Sequence, residues 1–334
     1  MNETTKNAAA GAKPGPRRNP NRRLPDIDGA LALIDKHFGI DRILKDEGKP
    51  ILAKYYSQSR WGYEKIHSAD AAMHMPLSEG DAYDPKGLEA QPREIIRVAR
   101  EIGAKRIFEL GCGQGYNARL IARECPEIEV VALDLMPAHV KKANERGADL
   151  PNFRAIQGSF EEIPKDIGSF DIVFAVETLC YASSAEDVSA QVFERLNPGG
   201  HFIMWDAFRR KGFEQMPENL QTAAKLYEYT LAVTHGFFAE GAWAEAMKKA
   251  GFGDVEVTDV TREARGGLIR LSRQSFSFLT KPKFRFYRWI TPKYMKRNAV
   301  AGLIGSYMVA VDPFRRRFKQ GSIVYEVVDA KKPV

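Results

Sequence analysis

Residues 105–122 read K-R-I-F-E-L-G-C-G-Q-G-Y-N-A-R-L-I-A. Lys105–Leu110 is a short β-type run, and Ala118, Leu120, Ile121 and Ala122 follow helical spacing. Between them lie Gly111, Cys112, Gly113 and Gly115, which form a tight turn. Glycine has no Cβ, so such a turn bends sharply and lets a ligand lie against the backbone. Strand, glycine turn and helix together present N–H groups to a nucleotide-like molecule.

The flanking residues narrow the choice. A dinucleotide fingerprint is spaced G-x-G-x-x-G, whereas here the glycines run G-x-G-x-G and Tyr116 takes the place of the third. Glu109 precedes the turn. A carboxylate repels a pyrophosphate and attracts an ammonium group. The next apolar run, Ile128–Leu133, ends at Asp134 and Leu135, where an acid suits ribose hydroxyls. An adenosine-type ligand with positive charge and no phosphate fits these features, and S-adenosylmethionine (SAM) answers that description.

With these residues the chain resembles the class I SAM-dependent methyltransferases, from about Tyr55 to Val260 with a last strand near Ser322–Asp329. Gly158-Ser159-Phe160 stands where that family places adenine contacts, with Ser159 in place of a common Asp. Phe170–Glu177 (F-D-I-V-F-A-V-E) is similar to its fourth strand, and Leu196–Gly200 (L-N-P-G-G) to the turn before the fifth. The resemblance implies an α/β Rossmann-like seven-stranded sheet with a helical lid before it; the family joins its sixth and seventh strands by a short hairpin, whereas here residues 262–320 form a large insertion before the last strand. The competing expectations are an NAD-binding Rossmann domain and a catalytically dead scaffold.

The chain has 334 residues, 44% of them hydrophobic, so it can bury a sizeable core. Its three cysteines, Cys112, Cys125 and Cys180, form no CxxC pair and suit a reducing cytoplasm. No apolar run approaches the roughly 18 residues that span a bilayer, and no signal peptide is expected. Charge is unevenly spread. Residues 1–25 carry six Lys/Arg against one acid, and residues 262–319 carry fifteen against Glu263 and Asp312. Since the whole chain is +7, the stretch 26–261 is acidic, at −11. An acidic body with two basic appendages is not a uniformly basic nucleic-acid binder.

In chain order, residues 1–25 have almost nothing to bury and read as a disordered tail, either solvated or an electrostatic tether. Residues 26–104 form a helical cap, with short helices at Ile27–Phe38 and Ile43–Leu44. Its Tyr55–His67 stretch, Y-Y-S-Q-S-R-W-G-Y-E-K-I-H, and the A-A-M-H-M-P-L stretch to Leu77 resemble the N-terminal region of sterol C-methyltransferases and phosphoethanolamine N-methyltransferases. That resemblance implies that Tyr56 covers the cofactor. Gln91 opens a Q-P-R stretch similar to the family's cofactor-covering helix. Plain packing of the aromatics, and a satisfied core role for His74, remain open.

Residues 105–261 are the cofactor-binding core. Glu177 ends the fourth strand, where open α/β sheets place their sites, and T-L-C-Y-A at Thr178–Ala182 resembles the segment bordering cofactor and substrate in sterol methyltransferases. Asp206 is either a cap or a site carboxylate, and His235 is a lone candidate base. Residues 262–320 alternate aromatic with basic side chains. Three readings stand: a lid in peripheral contact with an anionic membrane, a packed helical layer with a solvated basic side, and a stacking surface for single-stranded nucleic acid. Residues 321–334 supply the last strand.

Alkene methylation creates a carbocation, which needs aromatic faces and one carboxylate. The site segments are rich in Tyr, Trp and carboxylate, without clustered acids of the metal-dependent catechol type, so no metal is expected. The expectation is therefore C-methylation of a hydrophobic isoprenoid, sterol-like or other lipid acceptor. Glu177, Tyr181, His74 and His235 are the catalytic candidates. Alternatives are O- or N-methylation of a soluble metabolite or phospho-base, and a non-catalytic membrane- or RNA-binding scaffold. No N-P-P-Y motif follows the fourth strand, so no nucleic-acid substrate is expected.

Overall fold

A computed structural model describes residues 24–62, 68, 70–79, 82–310 and 321–334, with only the backbone of Arg60 and Trp61. The expected tail through residue 23, the Tyr63–His67 part of the lid motif and residues 311–320 of the insertion lie outside them.

Seven strands form one sheet in the order β3-β2-β1-β4-β5-β7-β6. They are β1 (Arg106–Leu110), β2 (Glu129–Asp134), β3 (Phe153–Gln157), β4 (Phe170–Val176), β5 (Leu196–Arg209), β6 (Val255–Asp259) and β7 (Ile323–Lys331). Strands β1 to β5 are parallel, and β7 runs antiparallel between β5 and β6. The near-continuous apolar runs of β1, β2 and β4 reflect burial on both faces, whereas the edge strands β3 and β6 are partly exposed. Phe108, Leu110 and Val173 point to one face, against Val188 and Trp243. Ile107, Ile172 and Phe174 point to the other, against Ile95 and Ile121. The covering helices in the core are α4 (Ala90–Ile102), α5 (Tyr116–Glu124), α6 (Pro137–Arg146), α7 (Ala185–Arg195), α8 (Glu218–Thr230) and α9 (Ala242–Ala250).

The N-terminal cap is α1 (Ile27–Phe38), α2 (Ile40–Leu44) and α3 (Leu52–Gly62). The insertion is α10 (Thr261–Thr280), α11 (Arg285–Ile290) and α12 (Lys293–Val309), lying between the hydrogen-bonded partners β6 and β7. It is not a loose basic appendage. Val300, Leu303, Ile304 and Tyr307 of α12 share a core with Ala30 and Ile34 of α1 and Leu226 of α8. Gly302 lets α10 approach closely, since a Cβ there would lie 2.2 Å from Ser275 Oγ. Ser272 Oγ bridges to Gly302 O, Leu303 O and Ser306 Oγ at 2.7–3.0 Å. Arg297 donates to Asp46, and both are buried. That guanidinium and the Lys49 ammonium hold the Asp46 carboxyl below its usual range against the opposing effect of burial. The apolar stretch at residues 299–308 is thus the wall of a third hydrophobic core, and no described helix is long and apolar enough to cross a membrane.

Candidate active site

The order of strands reverses between β1 and β4, and a crevice opens there at the carboxyl ends of β1, β2 and β4, as it does in open α/β sheets generally. The cleft has a cavity volume of about 150 Å³. Gly111 (φ 69°) and Gly113 (φ 54°) form its floor in the left-handed region that glycine tolerates. The turn is closed over tightly. A Cβ on Gly111 would sit 2.0 Å from Thr178 Oγ1, and one on Gly113 2.9 Å from Met73 Sδ of the lid segment.

Four carboxylates line this cleft, Glu109, Asp134, Glu161 and Glu177, and the first two stand at the glycine turn. Glu109 accepts from Asn117 Nδ2 (3.0 Å) and Ala118 N (3.1 Å) at the start of α5. Burial nevertheless pushes its carboxyl up to about 8. Asn117 Oδ1, beside it in the cleft wall, is buried without a hydrogen-bond partner. A buried carboxylate short of positive charge and an unsatisfied acceptor suit an ammonium group. Asp134 accepts from Gly113 N (2.8 Å), Met136 N (2.8 Å) and His139 Nδ1 (3.1 Å). It is braced between the glycine turn and α6, and of its roughly four acceptor positions one, on Oδ2, remains for a hydroxyl. Leu135, Gly158, Ser159 and Phe160 complete that end with a largely apolar slot. Ser159 Oγ accepts from Glu161 N (3.1 Å), which shapes the turn.

A second chamber of about 70 Å³ adjoins the first. Tyr56, Met73, Glu177 and Tyr181 line both cavities and form the partition. The chamber is walled by Met75, Leu231, Phe237, Leu268, Met308 and Ile323 among others, and also by Asp206 and Tyr325. Its roof comes from α8, α10 and α12, so the insertion builds the second chamber.

Glu177 occupies a strained backbone position, with φ 50° directly after β4, which costs of order 1–3 kcal/mol for a non-glycine residue. Its N–H still donates to Trp205 O (2.8 Å), so strand pairing holds the turn. The side chain is fixed by two donors to Oε1: Met75 N at 2.5 Å and Tyr325 Oη at 2.8 Å. Burial pushes the carboxyls of Glu177 and Asp206 each up to about 7. Asp206 accepts from Cys180 N and Ala207 N, both at 2.9 Å. It is a chamber carboxylate. Tyr181 Oη donates to Leu231 O (2.8 Å) and lies 3.4 Å from Tyr56 Oη.

Most residues anticipated for the site therefore meet. Tyr56, His74, Glu109, Gly111, Cys112, Gly113, Asp134, Leu135, Ser159, Phe160, Glu177 and Tyr181 all line the first cavity. Three do not. Gly115 (φ 77°) caps α5, where a Cβ would lie 3.0 Å from Ala143 Cβ, so its glycine serves helix packing. Gln91 is buried behind the lid and donates to Met75 O (2.9 Å), holding the segment that caps Glu177. His235 is exposed, packs edge-on against Phe238 and reaches neither cavity. His74 is buried with Nε2 3.0 Å from Leu88 O, braced by the backbone. Met73, Asn117, His139 and Tyr325 are not singled out by the sequence, and Thr178 only as the start of the T-L-C-Y-A segment. Only Asn117 and Thr178, beside the glycine turn and the fourth strand, had a local signal. Among the described residues no group of His, Cys, Asp and Glu is placed to hold a metal ion.

The comparisons with known proteins agree with this fold. Residues 107–200 match the family model described as a methyltransferase domain. The chain has the class I methyltransferase fold. A geranyl diphosphate methyltransferase solved with its diphosphate and sinefungin superposes with a TM-score of 0.55 at 15% identity, over 88% of this chain and 97% of that one. The phthiotriol/phenolphthiotriol dimycocerosates methyltransferase of Mycobacterium leprae is 32% identical over 44% of this chain and 52% of its own. This chain thus spans about half the length of the curated relatives of that name. An S-adenosyl-L-methionine-dependent Diels-Alderase of Talaromyces variabilis is 27% identical over 64% of this chain and 76% of its own.

Proposed function

We propose that the protein is a SAM-dependent methyltransferase that C-methylates an isoprenoid, sterol-like or other lipid acceptor. The observation that carries this reading is the partition. A carboxylate, two tyrosines and a methionine separate a nucleoside-type cleft, with Glu109 and Asp134 at its glycine turn, from a chamber of mostly apolar side chains that also holds Asp206 and Tyr325. When bound, SAM supplies an electrophilic methyl group on a sulfonium that is its own leaving group. Glu109 and Asn117 Oδ1 take the ammonium end, Asp134 takes a ribose hydroxyl, and Leu135 and Phe160 flank the base.

The chain's remaining task is to align and protect. The apolar walls exclude water and hold the reacting end of the acceptor, since about 70 Å³ cannot contain a whole lipid. Holding two reactants in line contributes several kcal/mol, roughly 7–11 at the limit. The rings of Tyr56 and Tyr181 face a cation developing on the acceptor. Glu177 Oε1 is held by its two donors, and Oε2 is the atom we assign to proton removal. A carboxyl near 7 is poised for that role. The names of relatives acting on phthiotriol lipids and on geranyl diphosphate support a hydrophobic acceptor.

The Diels-Alderase relative favours a second reading, in which the chamber folds a polyene for cyclisation and no methyl group moves. Incubating lipid extracts with enzyme and methyl-deuterated SAM separates the readings by mass spectrometry. A labelled apolar product with the new methyl on carbon supports C-methylation. A label on oxygen or nitrogen, or an unlabelled product isomeric with its precursor, overturns it.

A further inference from the structure

The insertion divides into a packed part and one protruding tip. Helices α10 and α12 are built into the cores described above, but the segment between them is not. Phe286, Tyr287, Trp289 and Ile290 are 62%, 57%, 78% and 50% exposed. These four make up half of the eight large hydrophobic side chains that are exposed among the described residues, and they fall within five positions. Around them stand Lys281, Lys283, Arg285, Arg288 and Lys293, with no acid between residues 281 and 293. Arg288 Nη1 donates to Phe278 O and Lys281 O at 2.5 and 3.2 Å, so the tip is tied to the end of α10 and holds a defined shape.

Exposed aromatics ringed by positive charge, of which only Lys293 lies within reach of a described acid, Asp46, are poorly matched to water and well matched to one environment. The rings sit at headgroup depth in a lipid bilayer while the cations meet anionic headgroups. We infer that residues 281–293 dock this protein peripherally on an anionic membrane surface, with the bilayer as their occupant. The tip also lies beside the lid. Tyr294, the next residue, packs with Ile51 and Tyr55 of the α3 region, and its N–H donates to Gln58 Oε1 (3.0 Å). Docking would therefore bring the α3 lid edge, which carries Tyr56 of the partition, toward the lipid. This inference does not depend on methyl transfer, and its test needs no acceptor.

The full chain is sedimented with phosphatidylcholine vesicles and with vesicles of phosphatidylcholine and phosphatidylglycerol in equal parts. Two variants accompany it: Phe286→Ser with Trp289→Ser, and Lys281→Gln with Lys283→Gln and Arg285→Gln. Thermal melts and SAM titrations verify that both remain folded. The wild type should bind the anionic vesicles only, less so at high salt. The aromatic variant should bind them at least about tenfold more weakly, and the charge variant should lose most of the salt dependence. Equal binding by wild type and aromatic variant, or no binding to anionic vesicles, overturns the inference. So does a concentration-dependent dimer, or retention of single-stranded RNA, that the aromatic variant abolishes while vesicle binding is absent.

Discussion

Replacing Glu109 with glutamine tests the chemistry of the donor site without any knowledge of the acceptor. In the unliganded protein burial raises the Glu109 carboxyl from 4.5 to about 8, so near neutral pH about nine molecules in ten hold it protonated. An ammonium ligand favours the charged form, and binding must then expel that proton. Close to one proton should be released per SAM bound near pH 7. Affinity should climb by up to about tenfold per pH unit toward 8, then turn down as the ligand's own α-amino group, near 7.7–8.0, loses its charge. The amide introduced by E109Q keeps an oxygen to accept from Asn117 or Ala118 but has no charge, so affinity should fall about 10- to 100-fold at pH near 8, the worth of a charged hydrogen bond. Calorimetry in two buffers of different ionisation enthalpy counts the proton directly. The linkage sign also fixes a stability signature. A carboxyl raised on folding contributes stability that is fully present below about 4.5 and lost as pH rises through about 8. The unliganded wild type should lose melting temperature across that window more than E109Q does. If the wild type releases no proton, or E109Q keeps the same pH slope, the ammonium is not held at Glu109 and the assigned ligand orientation fails.

Glu177→Gln should lower turnover about 10²- to 10⁴-fold and erase the acidic limb of the pH–rate profile, which in the wild type should rise to a plateau above about 7. The same variant should melt no lower than wild type at pH 8, since it removes a buried charge whose stability contribution is lost as pH rises from 4.5 through about 7. An E177Q enzyme with unchanged rate would reduce Glu177 to a structural brace. Gly111→Ala should destabilise by at least about 2 kcal/mol and abolish SAM binding in a melt-shift assay, because its Cβ meets Thr178 Oγ1 and its φ is 69°. Arg297→Met should cost up to about 3–5 kcal/mol in urea unfolding by leaving the buried Asp46 with only the half-exposed Lys49 ammonium, and Asp46→Asn with Arg297→Met should recover part of it. No recovery in the double variant would mean that α12 is held by packing alone.

Much of the proposed donor cleft is legible in the sequence. The glycine turn, Glu109 and Asp134 lie within 26 consecutive residues, and the strand and helix on either side announce themselves by apolar periodicity. Local signals were also misleading where spacing stood in for position. Gly115 belongs to the turn in sequence but faces Ala143 and Phe153. His235 looked like a base and stands exposed. The basic insertion suggested an appendage because charge is visible in composition, whereas its apolar positions share a core with α1 and α8, which are far from it in the chain.

Fold and first cleft follow from short-range rules: near-continuous apolar strands, a glycine turn that only a small residue can make, and an acid at the end of a strand. Those rules act over one or two turns of chain, so the sequence alone determined them. The second chamber obeys no such rule. Glu177 and its hydrogen-bond partner Tyr325 are 148 residues apart, and Tyr325 comes within reach only because β7 is inserted antiparallel beside β5. Which carboxylates share that chamber, and which aromatics stay outside it to face the surroundings, was decided by long-range packing of helices and strands.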